Sequence, residues 1–383
     1  MKLPTPGATQ AVMKIVVAMD TFKGTIAAER ACLIVAEVLG ELLPAASISV
    51  VPMADGGEGT IDAMLAARNG RRITQTVTGP LPQMRVQADY AWFDDDKTAV
   101  VEMARASGLQ LLSPEQYNPL ETTTRGTGEL LAEAARRGAR RILLAVGGSA
   151  TVDGGIGAAA VLGWRFLDEH GKQVRLSGGG LEAIAEIVAP AGLELPAVEV
   201  LCDVNNRLCG PEGAARVFAP QKGASQQMVE RLEHGLEHLA GLVLSRLGRD
   251  IDIPGAGAAG GLAAGAVAFM DATLTCGVET VIEFVGLRDE LAGADWVITG
   301  EGSFDRQSLY GKVVWGVTRA ATRAGAKVGV IAGRVKLAPN EYSAAGIQAA
   351  VACSPTDTIP DDPAEREMLL AQAAARFASQ HLL

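Results

Sequence analysis

Two acidic loops of the chain could bind or activate a hydroxyl group. ADGGEGT (54–60) places Asp55 and Glu58 among glycines, and GEGSFDRQSLYGK (300–312) carries Glu301, Asp305 and Lys312. Carboxylates in glycine-rich loops can hold Mg²⁺, position a hydroxyl or accept its proton. The alternative for each loop is a solvated turn with surface ions, because Asp and Gly are common in turns.

Two further loops could bind phosphate. DTFKGT (20–25) holds Asp20 and Lys23 where a strand turns into a helix, and GGSATVDGG (147–155) follows the apolar run RILLAV. Backbone N–H groups, hydroxyls and a lysine at such turns can bind phosphate oxygens. Ordinary turns capped by Thr21, Thr25 or Asp153 are the alternative.

A long loop at 202–225, CDVNNRLCGPEGAARVFAPQKGAS, holds Asp203, Asn205 and Lys222. An Asp with an Asn is typical of the metal ligands of phosphoryl-transfer enzymes, and a lysine can face a phosphate. Loop scaffolding is the alternative here.

Two other patterns are weaker indications. GAGAAG (255–260) has the spacing of a dinucleotide fingerprint, but no buried strand precedes it and no acidic residue follows at the right distance, so close helix packing is favoured. HGLEH (234–238) is not a zinc motif, and with Glu230, Glu233 and Glu237 it indicates a solvated helix face. The P-loop, hydrolase-elbow and protein-kinase signatures do not occur. The spacing of the motifs therefore indicates general phosphate chemistry but no particular reaction.

Composition narrows the class of protein. The 383 residues are 48% hydrophobic, include 45 glycines and carry a net charge of −10, which argues against a nucleic-acid or anionic-membrane surface. Five scattered cysteines without C-x-x-C spacing indicate reduced thiols in a cytoplasmic protein. Residues 1–12 are expected to form a tail without a signal peptide, and no membrane span is expected.

Alternating strands and helices must position these loops. Apolar runs predict buried parallel strands, and amphipathic stretches predict helices at 25–40, 57–69, 311–325 and 363–380. The strands are expected at 14–19, 47–53, 295–300, 327–333 and 347–353. In an open parallel sheet, ligands bind beyond the carboxyl ends of the strands, where the acidic and lysine-bearing loops fall.

The gap of more than 200 residues between the second and third of these strands predicts an inserted domain. Its alternating runs at 71–79, 84–93 and 97–104 indicate antiparallel strands. We therefore predict an α/β protein of two domains, a discontinuous one formed by 1–72 and 288–383 and an inserted α/β domain at 73–287.

Taken in order, the loops resemble the motifs of the bacterial glycerate kinase family, which phosphorylates D-glycerate. The resemblance extends from Met13 to the end of the chain through KIVVAMDTFKGT, PMADGGEGT, GGSATVDGGIGAA, CDVNN with GAARVFAPQKGA, GAGAAGGL and TGEGSFDRQSLYGK. Met19 and Asn206 stand where the family pattern leads us to expect proline. The resemblance implies a split flavodoxin-like domain with an insertion similar to restriction-endonuclease folds. It further implies transfer of a phosphoryl group from ATP, with Mg²⁺, to give 2-phosphoglycerate in an interdomain cleft.

Within that resemblance each loop receives a hypothetical role. Asp55 is the first candidate for the base that orients the glycerate hydroxyl, with Glu301 and Asp305 as rivals, and Asp203 and Asp153 are the candidates for Mg²⁺. The residues expected to contact ATP phosphates are Gly147, Gly148, Ser149, Thr151, Gly154, Gly155, Lys222 and Lys23. The residues expected to contact glycerate are Asp20, Gly56, Gly57, Glu58, Arg306 and Lys312.

Several alternatives remain open at this point. The acceptor could be another small hydroxy acid, or the 3-hydroxyl of glycerate. A non-catalytic sugar-acid-binding protein and an NAD-dependent oxidoreductase are less favoured. The expected partners are small molecules and neither nucleic acid nor membrane, and a monomer and a homodimer fit the sequence equally.

Overall fold

The computed structural model describes residues 12–22, 24–192, 194–354 and 360–383, so Lys23 lies outside the described residues. The chain divides into two compact units. Unit 1 is Met1–Met53 with Ile282–Leu383, and unit 2 is Ala54–Val281. The domain boundaries expected at 72/73 and 287/288 stay a prediction, and residues 54–72 group with unit 2 in this division.

Strands and helices are numbered in chain order. The strands are β1 (Lys14–Met19), β2 (Ser47–Val50), β3 (Arg71–Thr78), β4 (Arg85–Phe93), β5 (Thr98–Glu102), β6 (Arg141–Ala145), β7 (Arg165–Leu167), β8 (Glu186–Val188), β9 (Ala197–Leu201), β10 (Thr273–Thr275), β11 (Trp296–Gly300), β12 (Ser303–Phe304), β13 (Lys327–Ala332), β14 (Arg334–Val335) and β15 (Ala349–Ala352). The α-helices are α1 (Ala28–Leu42), α2 (Thr60–Ala67), α3 (Ala104–Ser107), α4 (Arg125–Arg136), α5 (Ile156–Val161), α6 (Ala214–Phe218), α7 (Gln226–Leu247), α8 (Ala258–Met270), α9 (Gly277–Phe284), α10 (Leu287–Glu290), α11 (Val313–Ala324), α12 (Pro339–Ala344) and α13 (Pro363–His381). Short 3₁₀ helices lie at Leu109–Leu111, Pro114–Gln116, Gly178–Ala183, Pro220–Lys222 and Arg306–Leu309.

Unit 1 contains a five-stranded parallel sheet in the order β15-β13-β11-β1-β2. Counted along the chain within this sheet, the strands have the order 2-1-3-4-5 of flavodoxin-like folds. All five strands predicted for it are present within a few residues of the expected bounds. Strands β1, β11 and β13 are buried, as continuous apolar runs predict, whereas the edge strands β2 and β15 are only partly buried. The α/β class and the parallel sheet are therefore confirmed.

The core of unit 1 is formed by the sheet with α1 and α13. Ile15 and Val17 of β1 lie in one apolar cluster with Val35 of α1 and Phe377 of α13. Phe377 packs edge-on against Trp296, with ring centroids 5.7 Å apart. A Cβ on Gly329 of β13 would overlap the Phe377 ring, so the helix can approach the sheet this closely only over a glycine.

Unit 2 contains a six-stranded mixed sheet in the order β10-β9-β6-β5-β4-β3. The antiparallel pairs β3–β4 and β4–β5 confirm the three alternating strands predicted from the sequence. Strands β5, β6, β9 and β10 are parallel. The unit is a second α/β sheet structure, as expected, and its likeness to restriction-endonuclease folds stays a prediction.

The parallel strands of unit 2 end level with one another. Glu102 at the end of β5 pairs with Ala145 of β6, Ala145 pairs with Leu201 of β9, and Leu201 pairs with Thr275 of β10. The segments that follow these residues therefore leave the sheet along one edge, which is where an open parallel sheet binds ligands.

The amphipathic stretch near 226–248 of the sequence predicts a long helix, and α7 at 226–247 confirms it, but the expected surface of this helix was wrong in one place. Glu233 is 1% exposed, whereas it was expected on a solvated face with Glu230 and Glu237. Its Oε1 accepts a hydrogen bond from Gly210 N, so the loop that precedes α6 covers it. Within the described residues, no helix is long and apolar enough to span a bilayer.

Candidate active site

Asp203 follows β9 directly and is held by the start of α9. Its Oδ1 accepts hydrogen bonds from Gly277 N at 2.7 Å and from Cys276 Sγ at 3.2 Å, and its Oδ2 accepts one from Val278 N at 3.1 Å. Because β9 and β10 end level, the loop after one strand meets the helix that follows the other. The backbone thus fixes this carboxylate at the edge of the sheet.

The surroundings of Asp203 favour its protonated form more than water does. Burial raises the pKa of Asp203 to about 7, the hydrogen bond from the Cys276 thiol opposes this rise, and the neighbouring charge of Asp55 adds to it. Burial also raises the pKa of the Cys276 thiol to about 11, so at neutral pH Cys276 remains a donor to the carboxylate. A carboxyl group with these neighbours is suited to a cation or a proton.

The Asp55 loop packs against the Asp203 loop through glycines. A Cβ on Gly277 would overlap the carbonyl oxygen of Asp55 and would come within 3.2 Å of Asp203 Oδ2. A Cβ on Gly56, whose φ is +86°, would come within 2.7 Å of Leu201 Cβ. Asp55 Oδ1 accepts a hydrogen bond from Gly57 N at 3.0 Å, which fixes this side chain as well. The two carboxylates predicted from separate motifs therefore lie in adjoining loops.

Glu102 supports the Asp55 loop from below, and the sequence analysis missed it. This side chain is 2% exposed; its Oε1 accepts from Ile61 N at 2.8 Å and its Oε2 from Arg105 Nε at 3.0 Å. It thereby satisfies a backbone donor in the first turn of α2. Glu58 of the same loop is exposed.

The loop at 147–155 is fixed by several segments. Gly147 touches the Asp55 loop, since a Cβ on it would lie 2.6 Å from Gly57 Cα. Gly148 O accepts from Leu109 N at 2.9 Å, and Ala150 O accepts from Thr122 Oγ1 at 2.9 Å. Lys222 Nζ donates to Ser149 Oγ and to Thr151 O, both at 2.8 Å. The predicted phosphate loop and the predicted lysine are therefore in direct contact.

Asp153 has a different environment from the one a metal ligand needs. It is fully buried, its Oδ2 accepts from Thr124 N at 2.8 Å, Thr124 Oγ1 at 2.9 Å and Gly157 N at 3.3 Å, and its Oδ1 accepts from Gly155 N at 3.0 Å. Burial raises the pKa of Asp153 and these bonds oppose the rise. The geometry favours a structural role, in which Asp153 ties the loop to the helices α4 and α5.

Gly154, Gly155 and the GAGAAG run serve close packing. A Cβ on Gly265 of α8 would overlap Gly154 O, and one on Gly155 would lie 3.1 Å from Gly265 Cα. Gly260 O accepts from Gly154 N at 3.1 Å. No strand precedes 255–260 among the described residues around it, and the predicted close packing of this glycine and alanine face is confirmed.

In unit 1, Asp20 and Glu301 follow the neighbouring strands β1 and β11, where the strand order of the sheet reverses. Asp20 N donates to Gly300 O at 2.9 Å, and Asp20 Oδ1 accepts from Thr21 N at 2.7 Å. Both acidic side chains are largely buried, at 5% and 9% exposure. Such a reversal point is the usual ligand site of this sheet type. Thr21 and Thr25 do not cap α1, whose N-cap is Ala27.

The other predicted residues of unit 1 already have protein partners. Asp305 caps the 3₁₀ helix Arg306–Leu309 by accepting from Gln307 N at 3.0 Å. Arg306 is exposed and forms an ion pair with Glu341 at 3.0 Å. Lys312 precedes α11, and its Nζ lies 3.4 Å from Gln307 Oε1. Lys312 is thus less tightly engaged than Arg306.

The donor set of unit 2 fits a magnesium ion in part. Among residues 12–22, 24–192, 194–354 and 360–383, no group of three or more His, Cys, Asp or Glu side chains could hold a metal by itself. Mg²⁺ is commonly held by one or two carboxylates together with substrate phosphates and water. Asp203 and Asp55 lie in adjoining loops beside a glycine-rich loop, which is the number of carboxylates that such a site needs.

The comparisons with known proteins agree on one family. Residues 15–382 match the glycerate kinase family. A glycerate kinase of Halalkalibacterium halodurans is 42% identical over 95% of this chain and 97% of its own length. The glycerate 2-kinase of Escherichia coli is 43% identical over 81% and 82%. The crystal structure of a Salmonella typhimurium LT2 protein provisionally named glycerate kinase 2 is similar with a TM-score of 0.84 and 40% identity, over 96% of this chain and 98% of that one.

Proposed function

Because the chain belongs to the glycerate kinase family and is a kinase, we propose that it transfers the γ-phosphoryl group of ATP to the 2-hydroxyl of D-glycerate. The products are ADP and 2-phosphoglycerate. The observation that carries this proposal is the contact between three loops of unit 2. Gly277, which donates to Asp203, lies against the backbone of Asp55, and Gly147 of the phosphate loop packs on Gly57. Acidic, metal-binding and phosphate-binding groups are the parts that phosphoryl transfer needs.

Asp55 acts as the general base in this proposal. As the 2-hydroxyl oxygen forms its bond to the γ-phosphorus, the bond from that phosphorus to the β-phosphate oxygen breaks, and the hydroxyl proton passes to the Asp55 carboxylate. The hydrogen bond from Gly57 N holds Asp55 in one orientation. Its rival Asp305 is already used as a helix cap, which favours Asp55. Glu301 remains the second candidate.

The phosphate loop binds and orients the nucleotide. Gly147 and Gly148 allow the backbone to approach the phosphates closely, and Ser149 brings a half-buried hydroxyl group to the same loop. The hydroxyl of Thr151 is fully buried, so Thr151 contributes to the shape of the loop. Lys222 is the lysine that the structure brings to this loop. Asp153, Gly154 and Gly155 keep the loop in place from behind.

Asp203 is the residue that would hold Mg²⁺, with Asp55 next to it. When bound, the ion would neutralise charge on the phosphates. The backbone donors Gly277 and Val278 keep Asp203 oriented.

For the carboxylate of glycerate we propose Lys312 as the main cation, since Arg306 is paired with Glu341. A lysine or arginine opposite a carboxylate forms a charge-assisted hydrogen bond. Asp20, Gly56, Gly57 and Glu58 keep their proposed roles near the substrate. We further propose that the enzyme works in the cytoplasm on these small molecules alone.

An ADP-release assay with ATP, Mg²⁺ and D-glycerate tests this function. L-Glycerate, hydroxypyruvate, tartronate and a reaction without acceptor are the controls. Turnover with D-glycerate well above every control is the expected result. If another hydroxy acid is turned over faster than D-glycerate, or if none of the acids is turned over, the assignment of D-glycerate as the acceptor is refuted.

A further inference from the structure

Lys222 is a buried cation beneath the phosphate loop. It ends the 3₁₀ helix Pro220–Lys222, is 2% exposed, and its Nζ lies 2.8 Å from both Ser149 Oγ and Thr151 O. Burying an ammonium group costs free energy unless the group is hydrogen-bonded. Because Lys222 is buried, it cannot contact a ligand directly and can affect one only through the residues that it bonds. Lys222 therefore affects a ligand of the phosphate loop through its hydrogen bonds to Ser149 and Thr151.

The chemistry of the two side chains fixes the direction of the Ser149 hydroxyl. An ammonium group has three donors and no acceptor, so Ser149 Oγ must accept from Lys222, and its own hydrogen must point elsewhere. Ser149 is half-buried, whereas Lys222 is almost completely buried, so Ser149 is the member of this pair that a ligand can reach. The hydroxyl is thereby kept as a donor, and its polarisation by the ammonium strengthens it.

Three carbonyl groups of the same loop accept hydrogen bonds from other parts of the protein. Gly148 O accepts from Leu109 N, Ala150 O accepts from Thr122 Oγ1, and Thr151 O accepts from Lys222 Nζ. Carbonyl oxygens would repel a phosphate if they faced it. Lys222 thus contributes to this arrangement twice, through a carbonyl that it holds inward and through a hydroxyl that it directs outward.

We propose that Lys222 is a positioning residue, which keeps the Ser149 hydroxyl as a hydrogen-bond donor to a phosphate oxygen of the bound nucleotide. This inference rests on the proposed function, because it takes ATP as the ligand of the loop. It differs from direct contact between Lys222 and phosphate, since the lysine acts through Ser149.

The state of Lys222 is sensitive to pH near neutrality. Burial lowers the pKa of Lys222 to about 7, while the attraction of Asp153, which lies under the same loop, raises it. On the other side, Tyr117 packs its backbone carbonyl against the adjacent Gly223. A neutral amine can accept the hydroxyl hydrogen of Ser149, which lets that hydrogen turn inward. Nucleotide affinity is therefore expected to fall as pH rises through 7.

The test is calorimetric titration of the whole protein with ATP, without acceptor, from pH 6 to pH 9. Lys222→Met keeps the length of the side chain and removes its donors, Ser149→Ala removes the hydroxyl, and the exposed Lys172→Met is the matched control. Each of the two loop variants is expected to weaken ATP binding about tenfold at pH 6, the typical effect of one hydrogen bond to a charged group. The double variant should bind no more weakly than either single variant, because both remove the same interaction.

The pH profile separates positioning from mere support of the fold. The ionisation of ATP itself affects the parent and Ser149→Ala alike. If the ATP affinity of the parent falls more between pH 6 and pH 9 than that of Ser149→Ala, the difference measures the deprotonation of Lys222. If Lys222→Met does not fold, the comparison of the parent with Ser149→Ala still decides the matter. Equal pH profiles for those two proteins, or losses of affinity that multiply in the double variant, would overturn the inference.

The proposed function is tested separately. If the inference is overturned while the parent still phosphorylates D-glycerate, the proposed function stands. A parent that neither binds ATP nor phosphorylates glycerate would refute both.

Discussion

The backbone N–H of Gly277 donates to Asp203 Oδ1 at 2.7 Å, and through this bond the loop after β9 is joined to the helix after β10. The same glycine lies against the carbonyl oxygen of Asp55. One residue without a side chain thus contacts both the carboxylate of Asp203 and the backbone of Asp55, the two residues to which we assign the chemistry. The first two predictions follow from this relationship.

Asp203→Asn is expected to lower kcat about 10²-fold or more, because it removes a preorganised charge from the site of phosphoryl transfer. The Asn carbonyl oxygen can still accept from Gly277 N, and only the longer bond from Val278 N is lost, so the variant should fold. Steady-state kinetics and a thermal melt of the same preparation are the measurements. A variant with near-parental kcat would show that Asp203 has no part in the reaction.

Gly277→Ala is expected to reduce kcat at least about tenfold, since a methyl group there would overlap Asp55 O and press on Asp203, and small displacements of catalytic groups are costly. Gly241→Ala is the matched control, because a Cβ there meets nothing within 4 Å in the helix α7. The control should be as active as the parent and slightly more stable. Equal activity of the two variants would contradict the close packing of the loops.

Asp55→Asn tests the assignment of the base. We expect a loss of about 10²-fold in turnover with a smaller change in the KM for glycerate, as is typical when a general base is removed. The corresponding variant Glu301→Gln tests whether Glu301 is the base instead of Asp55. If Asp55→Asn stays within about threefold of the parent and Glu301→Gln does not, the base is Glu301, by the same scale.

Glu233 is expected to make the free energy of unfolding depend on pH. Burial raises the pKa of Glu233, so the folded protein retains its proton to a higher pH than the unfolded chain does. The free energy of unfolding therefore falls as pH rises above the ordinary glutamate range through the raised pKa. Glu233→Gln should remove this fall while its amide oxygen still accepts from Gly210 N.

Melting temperatures from pH 4 to pH 8 check that prediction. Glu233→Gln should gain stability over the parent as pH rises, whereas the exposed Glu237→Gln on the same helix should follow the parent. A constant difference between Glu233→Gln and the parent at every pH would contradict a raised pKa for Glu233.

Much of the fold could be predicted because its signals are local. The run KIVVAM became β1 with the predicted bounds, and the long amphipathic pattern became α7 within one residue at its end. The apolar runs of a parallel sheet also show which loops emerge at its carboxyl edge. The sequence alone therefore identifies the acidic residues that follow these strands, which are Asp20, Asp55, Asp203 and Glu301.

What could not be predicted depends on contacts between distant segments. The strand β10 has three residues, too few for any period to be visible, so Cys276 and Gly277 were not recognised as partners of Asp203. Two of the four hydrogen bonds to Asp153 come from Thr124, which is 29 residues away in the sequence. Glu102 ends a strand and gives no sign in the sequence that it caps α2. Burial and pairing of a polar side chain are properties of the fold and not of its local sequence.

The most direct test of the central claim is the identity of the phosphorylated carbon. The product of a reaction with ATP, Mg²⁺ and D-glycerate should be examined by proton-coupled ³¹P NMR. A doublet, from phosphorus coupled to the single proton at carbon 2, is the result that we predict. A triplet, from the two protons at carbon 3, would contradict the 2-kinase assignment, and the absence of any phosphate ester would contradict glycerate as the acceptor.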